Sequence, residues 1–362
     1  MTKTNVILLF GGNSTEHEIS ILSARNIARA IDSHLFNIIP IGIDQHGTWY
    51  LKTQTELDSE KHVLPNDHII SLSPGAHEHK IIRQKTQKSI GRVDVAFPIV
   101  HGTNGEDGSL QGLLKIMDIP CVGPGVIGSA LCIDKEVAKR LLNEAQIPNA
   151  PFLSYLKSER NQIKFEFALE KLGMPMYVKP PNLGSSVGIS KVTTKHEFEA
   201  AIDLAFRYDQ KVLIEQNISG REIECAIIGN HDISASKVGE VITMTENHSF
   251  YSYEAKYLDA QGSKTRIPAD INSDVQKNIQ NIAIQTYKTL CCKGMARVDV
   301  FVSPDNKIWV NEVNTLPGFT NISMYPKLWE ASGIPYTELI TKLIHLALEQ
   351  ASIERMNDTQ LK

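Results

Sequence analysis

The segment Arg297–Asn314, RVDVFVSPDNKIWVNEVN, admits few structures. Both flanks alternate apolar and polar side chains with period two, as strands do. Between them stand three turn formers, Pro304, Asp305 and Asn306. A turn centred between Asp305 and Asn306 sets Asp299 opposite Glu312 and Arg297 opposite Asn314, all four on one face. Two carboxylates directly across a ladder repel each other, by about 3 kcal/mol at roughly 5 Å and an effective dielectric of about 20. A hard divalent cation relieves that repulsion, and Mg²⁺ typically takes one or two carboxylates together with substrate phosphates. Asn314 adds a neutral oxygen, and Arg297 is placed for an anion gathered there. A solvated polar face with an Arg–carboxylate bridge shows the same pattern, and an odd-residue loop would spoil the register.

The rest of the chain supplies an α/β frame. NVILLF is a continuous apolar run, as expected of a strand buried on both faces. The turn GGNSTEHEIS breaks it, and Ala24, Ile27, Ala28 and Ile31 then recur with helical spacing. NIIPIGI and VDVAFPIVHG continue a parallel sheet, with a further strand expected near IPCVG. Residues 44 to 90 are polar and weakly patterned and read as loops with short elements. From 124 to 218 the expectation is α+β: a helix in DKEVAKRLLNEA, an antiparallel hairpin PMYVK–NLGSSVG–ISKV, a helix near HEFEAAIDLAF and the strand KVLIEQ. Strands at EIECAIIG and Ser234–Glu240, a long loop from Glu246 to Arg266, a helix near 275–290 and a C-terminal helix complete the pattern. With Gly123-Pro124-Gly125 as a boundary, the expected domains are 1–123, 124–218 and 219–362.

Composition narrows the function. A formal charge of −4 over 362 residues lacks the basic footprint of a nucleic-acid binder. No apolar run approaches the roughly 20 residues that cross a bilayer, and the N-terminus lacks a secretory signal pattern. The five cysteines are odd in number and show no C-x-x-C spacing, so a reducing, cytoplasmic setting fits better than a disulfide or zinc framework. Cys291 and Cys292 read as core packing.

Phosphate-handling parts are present. NLGSSVG, just after Lys179, offers backbone amides and serine hydroxyls, although no G-K-[ST] opens a helix as in a P-loop. Lys135, Lys179 and Lys256 are point charges suited to phosphate oxygens. In VLIEQNISGREIE, Glu215 and Glu222 are placed to accept from an adenine amine or a ribose hydroxyl. Read singly, each of these has a bland alternative as a loop, a surface lysine or a hinge. GGNSTE departs from G-x-G-x-x-G, so a Rossmann cofactor has little support.

In this order, the motifs GGNSTEHEIS, HGTNGEDGSLQG, DKEVAKRLL, VKPPNLGSSVGISKV, VLIEQNISGREIE, FYSYEAKYLD, ARVDVFV and VNEVNTLPGFTNISMYP resemble the D-alanine–D-alanine ligases of the ATP-grasp superfamily. The resemblance runs from about Val6 to Leu348. It implies a three-domain ATP-grasp ligase whose first domain is a parallel-sheet α/β unit, joining two D-alanines in the cytoplasm for peptidoglycan synthesis. It also implies ATP, two Mg²⁺ ions for which Mn²⁺ can substitute, and a homodimer without nucleic-acid or membrane partners. Lys135, Lys179, Ser186, Glu215, Glu222 and Lys256 match nucleotide-binding positions, and Asp299, Glu312 and Asn314 match metal ligands. Glu16 matches the residue at the first D-alanine's ammonium, with His101 near that substrate. Ser185 and Tyr257 match a pair linking the serine loop to a lid, and Ser323 matches the residue at the second substrate's carboxylate. Gly318 offers an amide beside Arg297. Gln216 stands where many members carry Lys. Ligases making D-alanyl-D-serine or D-alanyl-D-lactate are the neighbouring alternative, and Tyr257 favours an amine nucleophile.

Overall fold

The computed structural model describes residues 2–75, 81–184, 187–243 and 263–356. The first sheet is built on β1 (Thr4–Gly11), which pairs in parallel with β2 (Phe36–Ile43) and β7 (Val95–Pro98). From Val6 onward every β1 residue is buried, because both faces are covered. Val6, Leu8 and Phe10 pack with Ile21, Ala24 and Ile27 of α1 (His17–Ala30). Ile7 and Leu9 pack with Leu110 and Leu114 of α3 (Ser109–Ile116). The polar stretch contains the short elements β3 (Trp49–Leu51), α2 (Gln54–Ser59), β4 (Ile70–Leu72), β5 (Ile81–Arg83) and β6 (Lys88–Ser89). The strand expected at IPCVG is a single parallel bridge from Ala96 to Cys121. Pro120 has no donor for a ladder, and Gly123, at φ +98°, turns the chain away.

The second sheet is antiparallel, in the order β10-β9-β11-β8. Its strands are β8 (Phe152–Leu156), β9 (Met176–Lys179), β10 (Ser190–Val192) and β11 (Lys211–Gln216). The β9–β10 hairpin is as expected. The helices α6 (Phe165–Leu172) and α7 (Lys195–Tyr208) cover one face. The expected α5 (Lys135–Glu144) is preceded by a helix with no counterpart in the sequence reading, α4 (Val126–Ile133). Eight mostly apolar residues carry no period that separates helix from strand.

The third sheet runs β14-β13-β12-β15-β16, with β12 (Arg221–Ile228), β13 (Ser234–Thr243), β14 (Ser263–Arg266), β15 (Met295–Val302) and β16 (Ile308–Asn314). The stretch expected as loop up to Arg266 ends instead as strand β14, paired with β13. Ile279, Ala283 and Tyr287 of α8 (Ser273–Thr289) pack onto Ile223, Cys225, Val298 and Val300. Cys292 joins that core, whereas Cys291 is exposed, against the expectation for the pair. Two further helices, α9 (Met324–Ala331) and α10 (Tyr336–Arg355), tie the first and third sheets into one core through Tyr325, Leu328, Leu339 and Leu343.

The β15–β16 hairpin reaches the expected register by an unexpected route. Val302 pairs with Ile308, and Ser303 N donates to Lys307 O at 3.0 Å. The loop therefore holds three residues, Pro304 to Asn306, with Asn306 at φ +60°. Such a loop alone would offset the pairing by one. A bulge between Val310 and Glu312 takes up Asn311, and beyond it Asp299 faces Glu312 and Arg297 faces Asn314. Val310 and Val313 accordingly lie on one side, in the core with Val298 and Val300.

Candidate active site

One cleft gathers residues from the three units built on the first, second and third sheets. Glu16, His101 and Glu106 enter from the first unit, Lys135 and Gly184 from the second, and Glu224, Arg297, Glu312, Asn314, Gly318 and Ser323 from the third. The first unit contributes from the carboxyl ends of β1 and β7, where open α/β sheets place their ligands. Glu16 is the N-cap residue of α1 and makes no side-chain cap bond. A methyl built on Gly102 or Gly184 would come within 3.6 or 3.8 Å of Glu16 Oε2, so at both positions glycine brings backbone close to that carboxylate. His101 Nδ1 is 3.9 Å from Glu106 Oε1, and Gly102 N donates to Glu106 Oε2 at 3.0 Å. Burial opposes protonation of His101, but Glu106 and then Glu16 outweigh it and raise its pKa. Burial, aided by Glu16 and opposed by His101, pushes the Glu106 carboxyl up as well. Ser23 connects this corner to the third unit: its Oγ is 3.4 Å from His101 Nε2 and accepts from Phe319 N at 3.2 Å.

The strand face carries a row of three acids. Glu224 on β12 faces Asp299, which in turn faces Glu312. Arg297 Nε and Nη2 donate to the two oxygens of Asp299 at 2.8 and 2.7 Å, and Nε lies 2.9 Å from Glu224 Oε2. Asn314 Nδ2 donates to Asp299 Oδ2 at 2.9 Å. Lys135 Nζ is 3.4 Å from Glu312 Oε2 and donates to Leu183 O at 3.0 Å. Burial works against the Arg297 charge, but Asp299 and Glu224 outweigh it and hold its pKa well above the ordinary value. Three carboxylates against Arg297 and Lys135 leave this face one unit negative. Among the described residues, no three His, Cys, Asp or Glu side chains converge to hold a metal by themselves. The chain thus offers two carboxylates and the Asn314 amide oxygen, all hard donors, with the remaining shell left to phosphate oxygens and water. That division suits Mg²⁺, which keeps much of its shell in water and phosphate.

Gly318 and Ser323 stand together, as a methyl on Gly318 would fall 2.7 Å from Ser323 Oγ. That hydroxyl accepts from Thr320 N at 3.0 Å. Lys179 and Glu215 do not line the cleft. They form a buried pair behind it, Lys179 Nζ to Glu215 Oε2 at 2.7 Å. Burial opposes ionisation of Glu215, but Lys139 and Lys179 outweigh it and hold its pKa below the usual carboxylate range. Glu222 shares the β12 face of Glu224. Ser185, Ser186, Lys256 and Tyr257 lie outside the described residues.

Sequence reasoning missed Glu106, Glu224, Ser23 and Lys139. Two of these carry a usable signal. Glu106 sits inside HGTNGEDG, and Glu224 is a lone charge between Ile223 and Cys225 in an apolar strand.

Comparisons with known proteins bear on the whole chain. Residues 5–124 match the family described as "D-ala D-ala ligase N-terminus", and residues 141–345 match "D-ala D-ala ligase C-terminus". The chain is 48 % identical to D-alanine–D-alanine ligase A of Escherichia coli (strain K12), covering all of both chains. Among solved structures it resembles the D-alanine-D-alanine ligase from Coxiella burnetii, with a TM-score of 0.85 and 38 % identity over 98 % of this chain and 97 % of that one. It also resembles the VanG D-Ala:D-Ser ligase from Enterococcus faecalis, with a TM-score of 0.85 and 35 % identity over 96 % and 100 %.

Proposed function

The chain belongs to the D-alanine–D-alanine ligase family, and from the composition of the cleft we infer how its residues divide the work. The protein is an ATP-dependent ligase that joins two D-alanines into D-alanyl-D-alanine for peptidoglycan synthesis. Our reading assigns the first D-alanine to the Glu16–His101 corner, where the Glu16 carboxylate takes the ammonium. The substrate carboxylate attacks the γ-phosphorus of ATP and becomes an acyl phosphate, releasing ADP. Lys135 and Lys179 hold phosphate oxygens, a task largely of positioning and charge stabilisation. Glu215 and Glu222 serve the base and the ribose. Asp299, Glu312 and Asn314 would hold Mg²⁺, which when bound spreads negative charge over the phosphate oxygens.

The second D-alanine then attacks as a free amine, its carboxylate oriented by Ser323. The oxyanion of the tetrahedral intermediate needs donors fixed in advance. Arg297 uses Nε and Nη2 on Asp299, which leaves Nη1 for the oxyanion beside the Gly318 amide. Collapse of the intermediate expels phosphate. The observation that carries this reading is the single cleft lined by Glu16, Lys135, Arg297, Gly318 and Ser323. We place the reaction in the cytoplasm, where ATP is abundant and five free thiols persist. No helix among the described residues is long and apolar enough to cross a membrane. A homodimer is supported by Ile116 and Ile127, 69 % and 64 % exposed on the contacting helices α3 and α4.

Incubation with ATP, Mg²⁺ and D-alanine, with D-serine and D-lactate as competitors, tests the assignment through product masses. D-alanyl-D-alanine with ADP and phosphate is expected. Predominance of a mixed product would move the second subsite to D-serine or D-lactate. ADP formation that ignores D-alanine would overturn the amino-acid assignments.

A further inference from the structure

Lys139 lies one helical turn beyond Lys135 on α5, and only 2 % of it is exposed. Its Nζ is 3.0 Å from Glu215 Oε1, donates to Ala150 O at 3.2 Å, and stands 5.7 Å from the centre of the Phe152 ring. The other oxygen of Glu215 is held by Lys179 at 2.7 Å. One buried carboxylate thus receives two ammonium groups, one on each oxygen. Burying an ammonium is unfavourable unless it is paired and hydrogen-bonded, so an arrangement with two of them on a single acid calls for an explanation.

The explanation lies in what each lysine can reach. Lys179 ends β9, at the entry to the glycine-serine loop. Phosphate oxygens compete with Glu215 for its ammonium when nucleotide is bound. Lys139 is enclosed between α5 and the second sheet and has no route to a phosphate. It therefore remains on Glu215 whichever way Lys179 turns. Glu215 retains lone pairs beyond those the lysines use, since a carboxylate accepts about four hydrogen bonds.

We propose that Lys139 is a positioning residue for the nucleotide base: it fixes the Glu215 carboxylate so that this group accepts an N–H of the adenine exocyclic amine. Guanine carries a carbonyl at that ring position and has no hydrogen to offer, so the fixed anion also selects adenine over guanine. This rests on the assignment of Glu215 to the base made above.

The test compares Lys139→Met, Glu215→Gln and the double variant in the full-length enzyme. The readouts are KM for ATP, KM for D-alanine, kcat, and the ATP:GTP preference. Lys139→Met is expected to raise KM for ATP by about 10- to 100-fold, the size of one charge-assisted hydrogen bond. It should lower the ATP:GTP preference while leaving kcat and KM for D-alanine within about twofold, because the lysine touches neither reacting atoms nor amino acid. Adding it to Glu215→Gln should change little, since it acts through that residue. If Lys139→Met does not fold, the double variant, which removes both charges, carries the comparison against Glu215→Gln alone. An unchanged KM for ATP and base preference in Lys139→Met would overturn the proposal, as would a further loss in the double variant. Should Glu215→Gln itself keep the wild-type KM and preference, the base assignment fails instead, and the two failures are thereby told apart.

Discussion

Replacing Arg297 by Ala removes the cation bonded to Asp299 and Glu224 in the acid row. The side chain is 14 % exposed, bonds Asp299 through two nitrogens at 2.8 and 2.7 Å, and touches Glu224 at 2.9 Å. Without it Asp299 faces a carboxylate on each neighbouring strand, Glu224 and Glu312. Each facing pair repels by about 3 kcal/mol at roughly 5 Å and an effective dielectric of about 20, and losing one partner of a buried pair typically costs about 3–5 kcal/mol. A drop of that size in unfolding free energy, measured by urea titration without divalent cation, is expected. On activity, loss of one oxyanion donor costs about 10²- to 10³-fold in kcat. The assay is ADP release at saturating ATP and D-alanine, with the folded fraction measured in parallel. Arg297→Lys keeps a charge without the fork, so stability should recover further than turnover does. The reasoning fails if folded Arg297→Ala turns over within about threefold of wild type.

Other substitutions reach the site from different sides. Gly318→Ala places a methyl 2.7 Å from Ser323 Oγ; the displaced hydroxyl should raise KM for the second D-alanine about tenfold with little change in thermal midpoint, and an unaltered KM would argue against Ser323 as its anchor. Asp134 caps α5 through Glu136 N and Val137 N and also binds Lys211 at 2.7 Å; Asp134→Ala should cost about 1 kcal/mol and weaken ATP through Lys135, which calorimetry of nucleotide binding would register. Burial opposes ionisation of Glu56, but bonds from Thr53 and Asn66, with Lys52 nearby, outweigh it and lower its pKa to about 2. A depressed folded-state pKa stabilises above the unfolded value, and that contribution fades as pH falls toward about 2. Urea midpoints of Glu56→Gln should therefore fall less steeply with acidification than those of wild type over that window, and parallel curves would count against the sign.

The β15–β16 face was legible because alternation is a strong signal, carried through β15 and through the start of β16. The register was reached from an even turn, whereas the chain uses an odd loop and a bulge whose effects cancel. The mark of the extra residue is the adjacent polar pair Asn311 and Glu312, which breaks the alternation between the core residues Val310 and Val313. Lys139 shows the limit most clearly. On the sequence it is one of two lysines on an amphipathic helix, and only tertiary packing sets it against Glu215 on β11, 76 positions away. Glu224 was passed over because EIECAIIG reads as a strand whether or not its acid has a task. The helix α4 was missed for lack of length, and the strand at IPCVG was over-read because its apolar residues lie between two prolines.

The loop and bulge of the hairpin also set where the chain can vary. Removing Asn311 leaves the face intact: Glu312 then follows Val310 directly and still meets Asp299, so only the bulge is lost. Shortening the loop at Pro304–Asn306 by one residue likewise leaves Val302 against Ile308 and the pairs beyond it unchanged. A single deletion between Glu312 and Asn314 is different, because it turns Asn314 to the core side and strips the polar wall of one member. Length should thus vary freely at the two irregular points of the hairpin and not between the residues that face the cleft.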